Sequence, residues 1–245
     1  MGTPKKNDRE GDAAGLIVAA GSSRRMGFDK ITAPLCGRPL LQWSLAAFED
    51  CPAIAFAVLV CASDRIEEFE ALAAPFNKVR RVVAGGRERA DSVLNGLVAM
   101  NDPAPAIVAV HDAARPLITS GLISLVLEAA RRDGSAVAAE PVSDTLHRSD
   151  GGENLVATVS RSDLWAMQTP QVAGFAGLVA ALESLRRSGT PVTDEISALI
   201  AFGKCPRAVS HGDPNFKVTY PRDLELAAAV IARRDRPAEP LPGQA

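Results

Sequence analysis

The chain has 245 residues, 47% of them apolar and 4% aromatic, and its 27 Lys and Arg against 29 Asp and Glu leave a net charge of −2. That balance excludes a disordered chain, which holds fewer aliphatics and more net charge, and a general nucleic-acid surface, which needs a basic excess. With so few aromatics the core must be built from Ala, Val, Leu and Ile, and the length suits one large domain or two small ones.

Residues 1–13 read as a polar tail. Lys5 and Lys6 precede the apolar run Ala13 to Ala20, but Asp8, Glu10 and Asp12 intervene and Arg24 and Arg25 follow, which argues against a signal or transit peptide. Near-continuous apolar runs then recur at Gly15–Ala19, Ala55–Val60, Val79–Val83, Ala106–Val110 and Ala136–Ala139, a pattern expected of strands buried on both faces. Helical spacing lies between them. Ile66, Phe69 and Ala73 form one stripe, with Asp64 and Glu67 placed like a capping box. Leu122, Leu125, Val126 and Ala129 form another, and Pro221 opens a last helix faced by Leu224, Ala227, Ala228 and Ile231. Strand–helix alternation predicts an α/β fold with a mostly parallel sheet and helices on both faces. Ligands of such sheets gather at the carboxyl ends of the strands, here the loops after Ala20, Ala84, Val110 and Ala139. Gly151-Gly152 between Thr145–His147 and Leu155–Val159 predicts a hairpin arm over about 141–160, which should pack on something, such as a second subunit. One domain is expected over 14–232, followed by a tail at 233–245.

The longest apolar stretch, Ala53 to Ala62, falls far short of the ~20 residues that span a bilayer. The four cysteines form no CxxC and no metal spacing, so reduced thiols in a cytoplasmic protein are expected. His111, His147 and His211 have no partner at a telling spacing and read as structural or surface residues.

Three loops could carry chemistry. Ala19-Ala20-Gly21-Ser22-Ser23-Arg24-Arg25 leaves the first strand, and its glycine, serines and adjacent cations, with Lys30, favour an anion cradle over a plain turn. It is neither a Walker loop nor a dinucleotide fingerprint. Gly85-Gly86 before Arg89, Asp91 and Ser92 is either an ordinary strand–helix loop or a set of donors at a positive helix end. Asp112 in His111-Asp112-Ala113-Ala114-Arg115-Pro116 either suits Mg²⁺ or caps a helix or pairs with Arg115. Later, Lys217 sits in an alternating strand pattern, as an edge residue or as a second cation over a phosphate.

In order along the chain, Val110–Pro116, Arg161-Ser162-Asp163-Leu164-Trp165 running into Gln168-Thr169-Pro170-Gln171, and Asn215–Thr219 with Asp223-Leu224 resemble the cytidylyltransferases of isoprenoid biosynthesis from about Leu16 to Val230. The resemblance implies a Rossmann-like nucleotidyltransferase fold, a homodimer joined through the arm, and Mg²⁺ as cofactor. It also implies attack of a methylerythritol phosphate on the α-phosphorus of CTP with loss of pyrophosphate. By match, Arg25, Lys30 and Lys217 are the catalytic cations and Asp112 the metal residue. Ala19, Ala20, Gly21, Gly85, Gly86, Ser92 and Ala113 match the nucleotide pocket, and Arg115, Thr145, Arg161 and Thr193 the sugar-alcohol phosphate. Thr145 is expected to reach across the dimer. The alternatives are a ribitol 5-phosphate cytidylyltransferase, a sugar-nucleotide pyrophosphorylase, or a catalytically silent nucleotide-binding module. No nucleic-acid or membrane partner is expected.

Overall fold

The structure, a computed structural model, describes residues 12–21 and 26–234. Strand β1 (Ala13–Val18) is followed by a small ladder of β2 (Pro34–Leu35) and β3 (Arg38–Pro39), then helix α1 (Leu40–Glu49). Next come β4 (Ile54–Cys61), α2 (Ile66–Ala73), β5 (Val79–Ala84), α3 (Arg89–Val98) and β6 (Ile107–Asp112). The second half holds α4 (Ser120–Asp133), β7 (Ser135–Pro141), β8 (Leu146–Ser149), β9 (Leu155–Val159) and β10 (Trp165–Gly174). It ends with α5 (Phe175–Ser188), α6 (Glu195–Ala201), β11 (Arg207–Val209) and α7 (Pro221–Arg234). The strand and helix at the two ends thus reach one or two residues into the stretches expected as tails.

Seven strands form one sheet in the order β11-β7-β10-β6-β1-β4-β5. All run the same way except β10, which is antiparallel to both β6 and β7. Successive side chains of a strand point to opposite faces, and the core divides accordingly. Ile17 packs with α1, α2, α4 and α7 through Leu41, Phe48, Phe69, Val126 and Ile231. Leu16 packs on the other face with α3, α5 and α6 through Val93, Leu97, Leu178 and Leu199. The sheet is therefore covered on both sides, as the apolar runs predict. All four cysteines are free thiols. No helix among the described residues is long and apolar enough to cross a membrane.

The structure departs from the sequence reading at several elements. β5 is an edge strand with Arg80 and Arg81 exposed and its other residues only half-buried. Asp64 and Glu67 form no capping box, because a short 3-10 turn at Ser63–Arg65 precedes α2 and leaves Arg65 at its N-cap. Leu125 stays 44% exposed at the outer margin of the α4 stripe. β10 has no long apolar run and contains a proline, so the hydrophobic pattern does not predict it. Its proline is tolerated because the ladder with β7 slips between Met167 and Gln171, so that Pro170 lies in a bulge. The strand expected around Lys217 does not form. Asn215–Thr219 is irregular backbone passing the ends of β6 and β10, tied to that edge by Val218 N–H donating to the Ala114 carbonyl at 2.8 Å.

β8 and β9 pair antiparallel as a separate two-stranded sheet. This is the expected hairpin arm, and it grows from the end of β7 and the start of β10, where Val142 N–H donates to the Leu164 carbonyl at 3.0 Å.

Candidate active site

β1 is the central strand of the parallel half, flanked by β6 and β4. The register sets Val18 beside Asp112, so the loop leaving β1 and the end of β6 share one edge. Ala113 N–H continues that ladder to the Val18 carbonyl at 3.0 Å. A cleft of about 530 Å³ opens at this edge. Ala19, Ala20 and Gly21 line one wall, Gly86, Ser92 and the start of α3 another, and Lys30, Asp112 and Lys217 the floor.

Asp112 is the hub of the floor. Its Oδ1 accepts from Arg89 Nε and Nη2 at 3.1 and 3.0 Å, and its Oδ2 accepts from Lys217 Nζ at 2.7 Å. Burial alone would raise the carboxyl, but Arg89 and Lys217 outweigh it and hold Asp112 well below the usual carboxylate range. Arg89 also forks onto Glu195, with Nη1 at 2.6 Å from Oε1 and Nη2 at 3.0 Å from Oε2. Burial pushes the Glu195 carboxyl up, and Arg89 opposes that push. Lys30 Nζ donates to the Val218 carbonyl at 2.7 Å, which brings Lys30 beside Lys217 from the opposite end of the chain.

Beneath the floor runs a chain of bonds with one consistent proton assignment. Asp112 N–H donates to Thr169 Oγ1 at 3.2 Å, and the Thr169 hydroxyl lies 2.9 Å from His111 Nδ1. His111 Nε2 lies 3.3 Å from the Arg115 carbonyl. Burial pushes the His111 ring down to about 3, so at neutral pH it is uncharged, accepting at Nδ1 and donating at Nε2. The β10 bulge is what aims Thr169 at this point.

The two glycine-bearing loops are held by contact and by one serine. A Cβ on Gly85 would lie 2.6 Å from Ala20 Cβ, and one on Gly86 2.2 Å from Asp91 Cβ. Only glycine allows the two walls to approach this closely. Ser92 Oγ accepts from Gly86 N–H at 3.1 Å and donates to the Glu88 carbonyl at 3.0 Å. Ser92 is 3% exposed, so it shapes the loop as well as lining the cleft.

This arrangement offers cations to a polyanion, close backbone to a base and ribose, and one ionised carboxylate to a hard cation. The family model for 2-C-methyl-D-erythritol 4-phosphate cytidylyltransferase matches residues 14–233. The chain belongs to this family. A 2-C-methyl-D-erythritol 4-phosphate cytidylyltransferase from Symbiobacterium thermophilum is 41% identical over 224 residues, 90% of this chain and 93% of that protein. One from Burkholderia multivorans is also 41% identical, over 89% of this chain and 95% of its own length. The crystal structure of 2-C-methyl-D-erythritol 4-phosphate cytidylyltransferase from Thermus thermophilus superposes with a TM-score of 0.74 at 34% identity, covering 89% of this chain and 98% of that one.

The cleft gathers Ala19, Ala20, Gly21, Lys30, Gly86, Ser92, Asp112 and Lys217 from the residues singled out in the sequence. Gly85 and Ala113 are next in the chain to lining residues but do not line the cleft themselves. Arg25 lies outside the described residues. Arg115 does not pair with Asp112; it donates to the carbonyls of Asn215 at 2.8 Å and Met167 at 3.4 Å. Thr145 and Arg161 are exposed at the base of the arm, where Arg161 bonds the Ser143 carbonyl. Thr193 is exposed before α6, its hydroxyl 3.4 Å from Ser197 Oγ. The sequence marks Arg89 only as a residue following the Gly85-Gly86 pair and gives Glu195 no role. A buried Glu joined to an Arg 106 positions away leaves no local signal.

Proposed function

We propose that the chain transfers the cytidylyl group of CTP to 2-C-methyl-D-erythritol 4-phosphate. A phosphate oxygen of the acceptor forms a bond to the α-phosphorus, the bond from that phosphorus to the bridging oxygen breaks, and its electron pair leaves with pyrophosphate. The observation that carries the reading is the floor of the cleft. Lys30 and Lys217 meet there beside the ionised Asp112, between two loops whose glycines let backbone approach a nucleotide. No protein nucleophile is needed, so the residues act by positioning and by stabilising charge that grows on the phosphoryl oxygens.

Lys30 and Lys217 are the described cations that contact the triphosphate; Arg25, which lies outside the described residues, is assigned to the same group by its match to the family. The β1 loop and Gly85–Ser92 hold cytidine. Mg²⁺ fits the donor set: it is commonly held by one or two carboxylates plus substrate phosphates. Asp112 is ionised and uses three of its roughly four lone-pair sites on Arg89 and Lys217. When bound, Mg²⁺ would offset repulsion among the phosphates.

The acceptor is held by Arg115, Thr193, Thr145 and Arg161. The last two belong to the arm, whose Leu155 and Val156 are 67% and 59% exposed. Exposed aliphatics on a lone hairpin suit contact with a second copy of the chain, so the enzyme is read as a homodimer in which each arm serves the partner's cleft. Free thiols suit the cytoplasm.

Pyrophosphate release from CTP and Mg²⁺ tests the reading. Turnover with 2-C-methyl-D-erythritol 4-phosphate and little with ribitol 5-phosphate is expected. Equal or greater turnover with ribitol 5-phosphate would overturn the acceptor.

A further inference from the structure

Four charges of alternating sign run across the floor of the cleft: Glu195, Arg89, Asp112, Lys217. Glu195 is the least exposed, with a side chain 2% exposed, and it does not line the cleft. It stands in the first turn of α6, a helix capped independently by Asp194, whose Oδ1 accepts from Ser197 N–H at 2.8 Å. Gln171 of β10 pins that turn, donating to Asp194 Oδ2 at 2.9 Å and accepting from Ile196 N–H at 3.0 Å. The carboxylate is thus held rigidly, and its polar partner is Arg89.

We infer that Glu195 is a positioning residue that orients Arg89 and cancels its charge, so that Arg89 fixes Asp112 without spending the negative charge that Asp112 offers to a divalent cation. A guanidinium has five N–H donors in a fixed fork. Two point at Asp112 Oδ1 from Nε and Nη2, while Nη1 and Nη2 grip both oxygens of Glu195. The fork therefore cannot rotate without breaking bonds to a buried carboxylate. The electrostatic consequence is separate from the geometric one. Arg89 alone, with its side chain 27% exposed, would be a fixed positive charge 3.0 Å from the one carboxylate on the cleft floor and would oppose a cation there. Glu195 on its far side makes the Arg89–Glu195 pair neutral overall. Asp112 then keeps its orientation and its field.

This inference rests on the reading of Asp112 as the cation-binding carboxylate, and the test separates the two. CTP binding is measured by calorimetry over a series of Mg²⁺ concentrations, with no acceptor present and hence no turnover. In the unsubstituted enzyme, CTP affinity should rise with Mg²⁺; affinity independent of Mg²⁺ would overturn the Asp112 reading and this inference with it. Glu195→Gln, nearly isosteric, should raise the Mg²⁺ midpoint by about 10–100-fold, as loss of outer partners of metal ligands does. Arg89→Gln should move the midpoint the other way, because it removes the opposing cation while Lys217 still holds Asp112 Oδ2 at 2.7 Å. A merely structural role would weaken binding in the same direction for both. A Mg²⁺-dependent parent enzyme with an unmoved midpoint in Glu195→Gln, or with both variants shifted upward, would sink the inference while leaving the Asp112 reading intact. Should Glu195→Gln not fold, the double variant with Arg89→Gln leaves no unpaired buried charge and decides the matter. It restores the parent enzyme's net charge at the floor, so its midpoint should return to within a few-fold of the parent's, and one raised about tenfold or more would sink the inference.

Discussion

Replacing Lys217 with Ala separates catalysis from stability. Lys217 Nζ donates to Asp112 Oδ2 at 2.7 Å, and its side chain is 38% exposed. Removing it leaves Asp112 with both bonds from Arg89, so no buried charge is stranded. The lost ion pair is worth about 1 kcal/mol or less, the range for pairs open to water. The catalytic loss should be larger. Removing one preorganised donor to developing charge costs roughly 10²–10³ in kcat, or about 2.7–4 kcal/mol. The backbone contact of Val218 with Ala114, which holds the segment, does not involve the side chain at 217. Steady-state pyrophosphate release at saturating substrates gives the first number and chemical denaturation the second. A kcat within a few-fold of the parent enzyme would remove Lys217 from the mechanism. Equal losses in kcat and stability would make it a structural residue only.

Gly85→Ala drives a methyl to within 2.6 Å of Ala20 Cβ and 2.8 Å of Ser92 Oγ, prising apart the two nucleotide loops. Overpacking of this kind costs about 1–3 kcal/mol, so CTP affinity should fall about fivefold or more, and unchanged binding by calorimetry would refute the wall contact. His111 links folding to acid. Its ring is lowered to about 3 when folded against 6.5 unfolded, so its contribution is full above pH 6.5 and is lost as pH falls toward 3. Between pH 7 and 5 the loss is about 2 kcal/mol by proton linkage. Denaturant titrations should show that drop in the parent chain and less of it in His111→Gln; equal slopes would refute the account. On the arm, Leu155→Asp with Val156→Asp should yield a monomer by sedimentation that retains CTP binding, and a surviving dimer would place the interface elsewhere.

Much of the fold was readable because its signals are local. A near-continuous run such as Ala55–Val60 suits a strand covered on both faces, and the stripe of Leu224, Ala227, Ala228 and Ile231 suits one side of a helix, as the structure has them. Gly151 and Gly152 marked the arm by turn chemistry alone. The strands of the seven-stranded sheet that escaped notice, β10 and β11, lack that local signal. β10 is a mixed sequence whose place between β6 and β7 is decided by the chain's return from the arm. Lys217 misled in the opposite way: its alternating neighbours mimic a strand, but the segment passes the sheet edge and finds one ladder bond.

The sequence by itself determined the fold class, the loops at the carboxyl edge and, through its ordered motifs, the residues Lys30, Asp112 and Lys217. Only the tertiary structure decided how those charges are shared. Arg89, Asp112, Glu195 and Lys217 stand far apart along the chain, and a sequence carries no distances between them. Opposite charges a few ångströms apart in a partly buried cleft hold one another in place, so the cations expected to face the substrate are in part already committed. Arg89 is bound between two carboxylates, Arg115 to two carbonyls, Lys30 to the Val218 carbonyl and Lys217 to Asp112.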